Sequence, residues 1–356
     1  MAAEPGDTWS LVPDDRVLVT GAAGFIGSAV TRELCAREVH VVAMVQPGAD
    51  RGNLDGLDVE EVEADLRDAA AVTKATDGCR AVFHVAALYQ FWAEDPESFY
   101  TINVGGTRNV LAGARQAESE RVVYTSTVGT LGLKGATQGR PVDETSYAHV
   151  DHLFGGYKQS KYVAEHEVLR AAAEGLPVVL VQPTTPVGPR DRGPTPTGRT
   201  VLEFLNGRIP VFVDTTLNIV DVEDVAHGHV LAAERGSVGR SYILGGENLS
   251  LHQVLGGLAA VTGLPAPTRQ VPSGLALAAA HVSELIEGRL LRRAPSVPLE
   301  AAKMSTTQMS FDDSRARSEI GYTSRPALDA LERAARWFAE NGSVRSERLA
   351  RFTWVA

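Results

Sequence analysis

"RVLVTGAAGFIG", residues 16–27, is a short apolar, β-rich run that ends on glycines at 21, 24 and 27. The stretch that follows, "FIGSAVTRELCARE" (25–38), sets Ile26, Val30 and Leu34 at helical spacing. In a strand–turn–helix each glycine has a task. Gly21 lets the chain turn sharply. Gly24 lets backbone N–H groups approach an anion with no Cβ in the way, and Gly27 lets the helix pack close to the sheet. The helix N-terminus then turns its partial positive charge toward the anion. Glycines alone mean little, since tight turns use them everywhere. Placed between a strand and a helix, they read as the pyrophosphate cradle of a dinucleotide, with Gly21, Gly24, Phe25, Ile26 and Gly27 around it.

The alternation continues outward. "VHVVAMV" (39–45), "LDVEEVEADL" (57–66), "RAVFHVAA" (80–87), "RVVYTST" (121–127) and "PVVLVQP" (177–183) read as strands. Helical stretches separate them at 70–76, 96–117 and 157–175. Strands that are apolar throughout imply a parallel sheet covered on both faces. The fold class is therefore α/β, a Rossmann doubly wound parallel sheet, with a smaller, mostly helical C-terminal substrate lobe. The dinucleotide-binding domain spans 15–182. A Pro-, Gly- and Thr-rich loop at 183–198 leaves the sheet, and 219–246 return to it as strand, helix and last strand. Residues 183–218 and 247–342 form the lobe. Residues 1–14 read as a flexible leader and 343–356 as a tail.

Composition narrows the function classes. The chain has 356 residues, 44% hydrophobic, with a formal net charge of −10. Such a surface repels phosphate backbones, so nucleic acid is not an expected partner. The arginines of "GRLLRR" (288–293) and "RSERLAR" (345–351) read as solvated. Cys35 and Cys79 form no disulfide framework and read as small buried hydrophobes, consistent with a reducing cytoplasm. "GLALAAAHVSELI" (274–286) is too short to span a bilayer and reads as a packed helix. No internal repeat is present.

The second strand ends at Gln46, where a carboxylate would grip a ribose 2′-hydroxyl and repel a 2′-phosphate. With no acid there and Arg51 nearby, NADP is favoured and NAD remains possible. Asp65 and Leu66 end the third strand, where adenine would lie; Asp65 reads equally well as a helix cap. Tyr157 and Lys161 stand four apart on a helix and project from one face. An ammonium beside a phenol favours phenolate and lowers its pKa, which suits proton exchange with a carbonyl or carbinol oxygen. That helix follows the fifth strand, whose end carries "TST" (125–127), a hydroxyl source for the same oxygen.

At this point the chain resembles a known family. "VTGAAGFIGS", "DLRD", "HVAA", "NVGGTRNV", "YTSTVGTLG", "YKQSK" and "PTTPVGPRD" together look like the extended short-chain dehydrogenase/reductase family, over about residues 15–340. "PTPTGR" (194–199), "EFLNGR" (203–208) and "YILGGENLSL" (242–251) are similar to its dihydroflavonol-reductase-like subgroup, which includes the hopanoid-associated sugar epimerases. The resemblance implies Tyr157 as catalytic acid/base and Lys161 as its activator. It implies Thr127 as the catalytic hydroxyl, with Ser126 an outside candidate, and Asn103 as a support for the active-site helix. Cofactor contacts would come from Ala86, Ala87, Tyr157, Lys161, Pro183 and Thr184 beside those already named. It also implies a cytoplasmic homodimer joined through the helices at 96–117 and 157–174. Nucleotide-sugar epimerases of the family often place an arginine before "V-x-D-x-A" to meet a diphosphate. Here "TLNIVDVEDVA" (216–226) has Asn218 instead, although Arg190, Arg192 or Arg199 could compensate.

The histidines show no metal-site spacing. His149 and His152 stand before Tyr157 and read as solvent-facing more than pocket-lining. Tyr89, Phe91 and Trp92 in "LYQFWAED" (88–95) either wall the pocket or pack the lobes together. The expected activity is hydride transfer between a nicotinamide and a carbonyl or hydroxyl carbon of a small, cyclic or partly apolar substrate. The alternative is a nucleotide-sugar 4-epimerase or dehydratase using the same three residues. A non-catalytic sensor is disfavoured, because Tyr157 and Lys161 are both present.

Overall fold

The computed structural model describes residues 9–133, 140–291, 294–296, 299–304 and 307–354. In chain order the first half holds β1 (Arg16–Thr20), α1 (Phe25–Cys35), β2 (His40–Val45), β3 (Glu60–Glu63), α2 (Ala69–Thr76), β4 (Ala81–His84) and α3 (Glu97–Tyr100). A π-helical turn, Thr101–Gly105, runs on into α4 (Gly106–Gln116). Then come β5 (Arg121–Thr125), α5 (Gly156–Ala173), β6 (Val178–Pro183), β7 (Thr185–Val187), α6 (Pro196–Leu205), β8 (Thr216–Asp221), α7 (Val222–Arg235), β9 (Ser241–Leu244) and β10 (Glu247–Ser250). The rest is helical: α8 (Leu251–Thr262), α9 (Ser273–Ser283), α10 (Leu299–Met304), α11 (Ala327–Glu340) and α12 (Ser346–Leu349).

Seven strands form one parallel sheet in the order β3-β2-β1-β4-β5-β6-β9. Its period-2 alternation sends Val17, Val19, Val41 and Phe83 to the face covered by α1 and α7. Leu18, Val42, Val82 and Tyr124 go to the face covered by α2, α4 and α5. The inner strands are buried on both faces and read as continuous apolar runs, whereas the edge strand β3 exposes Glu60, Glu61 and Glu63. The chain order reverses between β1 and β4. That puts a crevice at the carboxyl ends of these strands, where doubly wound sheets bind ligands.

Several local expectations fail for reasons the sequence pattern does not contain. β8 does not rejoin the main sheet. It pairs parallel with β7 and antiparallel with β10 in a separate three-stranded sheet, so the lobe is not wholly helical. Only α7 and β9 return. The leader is partly docked. Arg80 and Arg121 lie over the Trp9 ring at 5.1 and 5.4 Å, and the Trp9 indole donates to Glu120. Residues 1–8 lie outside the described residues.

The tail also packs. Phe352 and Trp354 join the apolar core of the lobe, and Thr353 N donates to Thr262 O. Arg345 and Arg348 are not simply solvated. They donate to the carbonyls of Asn206 and Leu205, which end α6 and have no partner within the helix. In "GRLLRR", Arg292 and Arg293 and the side chain of Arg289 lie outside the described residues. Cys79 is buried as expected, whereas Cys35 is only half-buried. The stretch at 274–286 is helical and touches α10, but most of its apolar side chains are not buried. Ala280 is the one buried residue of α9, and Leu275, Val282 and Leu285 stay more than half exposed.

Candidate active site

Gly21 turns the chain after β1 at φ +68°, where side chains other than glycine are strained, and a Cβ there would lie 2.9 Å from Ala86 Cα. A Cβ on Gly27 would overlap the carbonyl of Gly21. Two of the expected tasks are thus visible, a sharp turn at Gly21 and a close helix at Gly27. α1 begins without a side-chain cap at Gly24 and has no acid in its first turn. Its first N–H groups therefore have no protein anion facing them, which fits a pyrophosphate.

Beside the cradle stands a buried network that the sequence did not reveal. Thr107 Oγ1 donates to Asn103 O at 2.6 Å, so it accepts from His84 Nε2 at 3.0 Å. That assigns the proton to Nε2, and Nδ1 accepts from Thr20 Oγ1 at 2.8 Å. Thr20 Oγ1 in turn accepts from Val85 N and Ala86 N. Burial first, then the charge of Lys161, pulls the imidazole down to about 3, so His84 is neutral. The network fixes the exit of β4, and with it Ala86 and Ala87, against the glycine turn. His84 was hidden because a lone polar residue ending an apolar strand gives no pattern.

Asn103 lies in the π-helical turn. Its side chain accepts from Leu88 N at 2.7 Å and donates to Ser160 Oγ on α5 at 2.9 Å. It therefore ties the β4 loop to the helix that carries Tyr157. Lys161 is buried, donates to Thr125 O at 2.6 Å and lies 4.3 Å from the ring centre of Tyr124. It anchors α5 to the end of β5, one turn beyond Tyr157. At that strand end the two hydroxyls diverge. Ser126 Oγ donates to Glu165, while Thr127 Oγ1 accepts from Gly129 N and is near enough to the Tyr157 phenol to favour its ionised form. Glu165, which also accepts from Thr130 and Gln182, holds Ser126 away from the cleft.

The electrostatics differ from the sequence expectation. The phenol of Tyr157 is pushed up, not down. Burial dominates, Tyr89 and Glu300 add to it, and only the Thr127 hydrogen bond opposes it. Lys161 gives little help, because burial pulls its own pKa down to about 7. The Tyr89 ring packs 4.7 Å from that of Tyr157, with Phe91 edge-on to Tyr89. The aromatic stretch thus walls the tyrosine.

The other named positions are placed as follows. Gln46 is exposed at the end of β2. Arg51 donates to Glu61 at 3.0 Å and also to Glu63, so two carboxylates already hold it. Asp65 is bound by Arg67, which holds its carboxyl low; the cap of α2 is Asp68. Leu66 is buried under Gly106 of α4, and its carbonyl accepts from Asn109. Pro183 is buried at the end of β6, and Thr184 N donates to Leu244 O. His149 is exposed and paired with Asp151, and the side chain of His152 lies outside the described residues. His229 is buried between Val225 O and Thr125 Oγ1, and no cluster fit for a metal occurs among the described residues.

A doubly wound parallel sheet with a glycine turn after its first strand agrees with the comparisons with known proteins. The NAD dependent epimerase/dehydratase family matches residues 17–245. The chain belongs to that family. A Synechocystis protein provisionally named a dihydroflavonol 4-reductase is 44% identical over 94% of this chain and 97% of its own length. Sterol demethylase protein B of Methylococcus capsulatus is 34% identical over 92% of this chain and 99% of its own. The crystal structure of gox2253 superposes with a TM-score of 0.83 at 42% identity, covering 93% of this chain and all of that one. This epimerase/dehydratase-family member is an NAD(P)-dependent enzyme of the extended short-chain dehydrogenase/reductase type. Its chemistry is hydride transfer between a nicotinamide and a carbonyl or hydroxyl carbon.

Proposed function

We propose that the enzyme works as a ketone reductase on a cyclic, partly apolar substrate, with Tyr157, Thr127 and Lys161 as its catalytic group. The observation that carries this reading over a nucleotide-sugar epimerase is the state of Asn218. It is buried, donates to Gly246 O and to Asn248 Oδ1 at 2.8 Å, and accepts from Gly246 N at 2.8 Å. The position that would meet a diphosphate is spent on joining β8 to β10. Arg190 and Arg192 face Glu223 and Asp50, and Arg199 is exposed on α6. A diphosphate would find no buried cation waiting among these residues. The apolar side is represented by Tyr89, Phe91 and the half-exposed Phe154. The relative named for a dihydroflavonol, an aromatic cyclic ketone, supports the same class.

When bound, the dinucleotide supplies the hydride. Its phosphates would rest on the amides at Gly24–Gly27, and its nicotinamide end near Pro183 and Thr184. Thr127 donates to the substrate oxygen and holds it beside the Tyr157 hydroxyl. Tyr157 is protonated at neutral pH and delivers that proton as the oxygen gains charge. Lys161 fixes α5 against β5, so the phenol meets the oxygen in one geometry. Exchanging Thr127 for Val lowers kcat by about 10²-fold, whereas Thr127→Ser retains most of it and Ser126→Ala changes it little. A loss at Ser126 equal to that at Thr127 would reverse the assignment.

We infer that NADP is the working cofactor and that the preference is shallow. No carboxylate occupies position 46, and Arg51 is the cation at the exit of β2. Glu61 and Glu63 compete for it. Arg51→Ala should weaken NADPH binding about tenfold and leave NADH nearly unchanged, as a charge-assisted contact to one phosphate implies. Equal loss for both cofactors by titration calorimetry would refute Arg51 as the 2′-phosphate contact. A cytoplasmic homodimer through α4 and α5 belongs to the same reading. No described helix is long and apolar enough to cross a membrane.

Incubation of the purified enzyme with a dihydroflavonol and NADPH tests the reductase reading. One cofactor should be oxidised per ketone consumed. Conversion of a UDP-sugar with no net change in cofactor would favour the epimerase.

A further inference from the structure

Glu300 is 6% exposed, and among the described residues neither of its carboxyl oxygens has a hydrogen-bond partner. It sits on α10, well removed in sequence from Tyr157, yet its carboxyl lies against Gly155, directly before α5. Any Cβ at Gly155 would collide with that carboxyl, and the backbone there has φ +86°, so the glycine is needed twice over. The groups that feel its charge are Tyr157 and Lys158 on α5 and Tyr89 on the loop after β4. On its own helix, Lys303 lies 4.0 Å from the ring centre of Phe154.

A buried carboxyl without partners costs far more than a paired one, and folded proteins retain such groups where a ligand completes them. The neighbours are a glycine backbone, aromatic rings and Lys158, whose charge acts on the carboxyl without hydrogen-bonding it. We propose that Glu300 is a substrate-binding residue: it accepts a hydrogen bond from a hydroxyl next to the carbonyl that is reduced, and so selects α-hydroxy ketones. The inference rests on the reductase reading above. Tyr157 and Thr127 take the carbonyl oxygen from one side, and Glu300, anchored at Gly155, takes the adjacent hydroxyl. An analogue lacking that hydroxyl leaves the carboxyl buried and unpaired, which is how sites of this kind discriminate strongly.

The carboxyl is also held high. Burial pushes it up to about 7 from an ordinary 4.5, with Lys158 opposing. An acid whose pKa is raised by folding contributes stability below its unfolded pKa and loses that contribution as the pH rises through its folded pKa. Glu300→Gln removes this loss. The variant should melt above the wild type by a margin that opens between pH 4.5 and 7 and then levels off. A margin that stays constant with pH means that Glu300 is not buried and unpartnered, and the proposal fails.

The kinetic test uses dihydrokaempferol and naringenin, two cyclic aromatic ketones that differ by the hydroxyl adjacent to the carbonyl. Wild type should prefer dihydrokaempferol by at least about tenfold in kcat/KM. Glu300→Leu should bring the ratio near unity through KM for dihydrokaempferol, with naringenin kinetics little changed. Glu300→Gln, which keeps an acceptor oxygen, should restore part of the preference. If both ketones are reduced and the ratio is the same in wild type and Glu300→Leu, the inference falls while the reductase reading stands. If neither ketone is reduced with NADPH or NADH, the reading and the inference fall together.

Discussion

Tyr157→Phe should lower turnover by about 10²–10⁴-fold, the range spanned by positioned proton donors, and leave dinucleotide affinity within a few-fold of wild type. The ring stays, so its packing 4.7 Å from Tyr89 and the anchoring of α5 through Ser160 and Lys161 persist. Only the hydroxyl is removed. The direction of the phenol's shift adds a pH signature. Burial and the neighbours Tyr89 and Glu300 raise it, so Tyr157 stays protonated through neutral pH. Ketone reduction, which needs the proton, should therefore not fall for want of it below pH 9. Alcohol oxidation, which needs phenolate, should rise with pH over the same range. A reductive rate that collapses near pH 7 in step with Lys161, itself lowered to about 7, would mean that the lysine charge controls the reaction. Tyr157→Phe separates these cases, because stopped-flow binding of NADPH reports on the cradle while turnover reports on the proton.

Gly27→Val should be the most damaging single change in the cradle. The added carbons meet the carbonyl of Gly21, which is main chain and cannot swing aside. α1 must then lift from β1, and with it Val30 and Leu34, both fully buried against the sheet. Overpacking of this kind typically costs about 1–3 kcal/mol, and more where backbone must move. The pyrophosphate amides move with the helix, so dinucleotide affinity should drop by at least about tenfold, as a misplaced anion site implies. Gly24→Ala is the milder companion, since its Cβ would stand 3.1 Å from Gly21 O. Equal affinities for Gly27→Val and wild type by calorimetry would contradict the placement of the pyrophosphate.

The unequal legibility of this molecule has a physical basis. The turn at 21–27 and the dry parallel sheet were readable because each is fixed by local rules, glycine at close approaches and apolar side chains on both faces of a strand. The resemblance already favoured Thr127 over Ser126, and Glu165, which takes the Ser126 hydroxyl, adds a physical reason that the sequence does not contain. The pKa of Tyr157 went the wrong way in the sequence reading because the spacing to Lys161 is local, whereas Tyr89 and Glu300 arrive from elsewhere in the chain. β8 was assigned to the main sheet because its buried residues suit either sheet; its pairing with β7 and β10 settles the matter. α9 carries the composition of a buried helix on an exposed one, and periodicity cannot report what does or does not pack against it. Arg51 was legible as a cation but not as one already held by Glu61 and Glu63.

The most direct test of the central claim follows one hydrogen. Purified enzyme is given NADPH deuterated at C4 of the nicotinamide together with dihydrokaempferol, and the product is analysed by mass spectrometry. The account predicts an alcohol carrying one deuterium at the former carbonyl carbon, formed in step with oxidised cofactor by wild type and abolished in Tyr157→Phe despite retained NADPH binding. An unlabelled alcohol, or label transfer that continues undiminished in Tyr157→Phe, would contradict it.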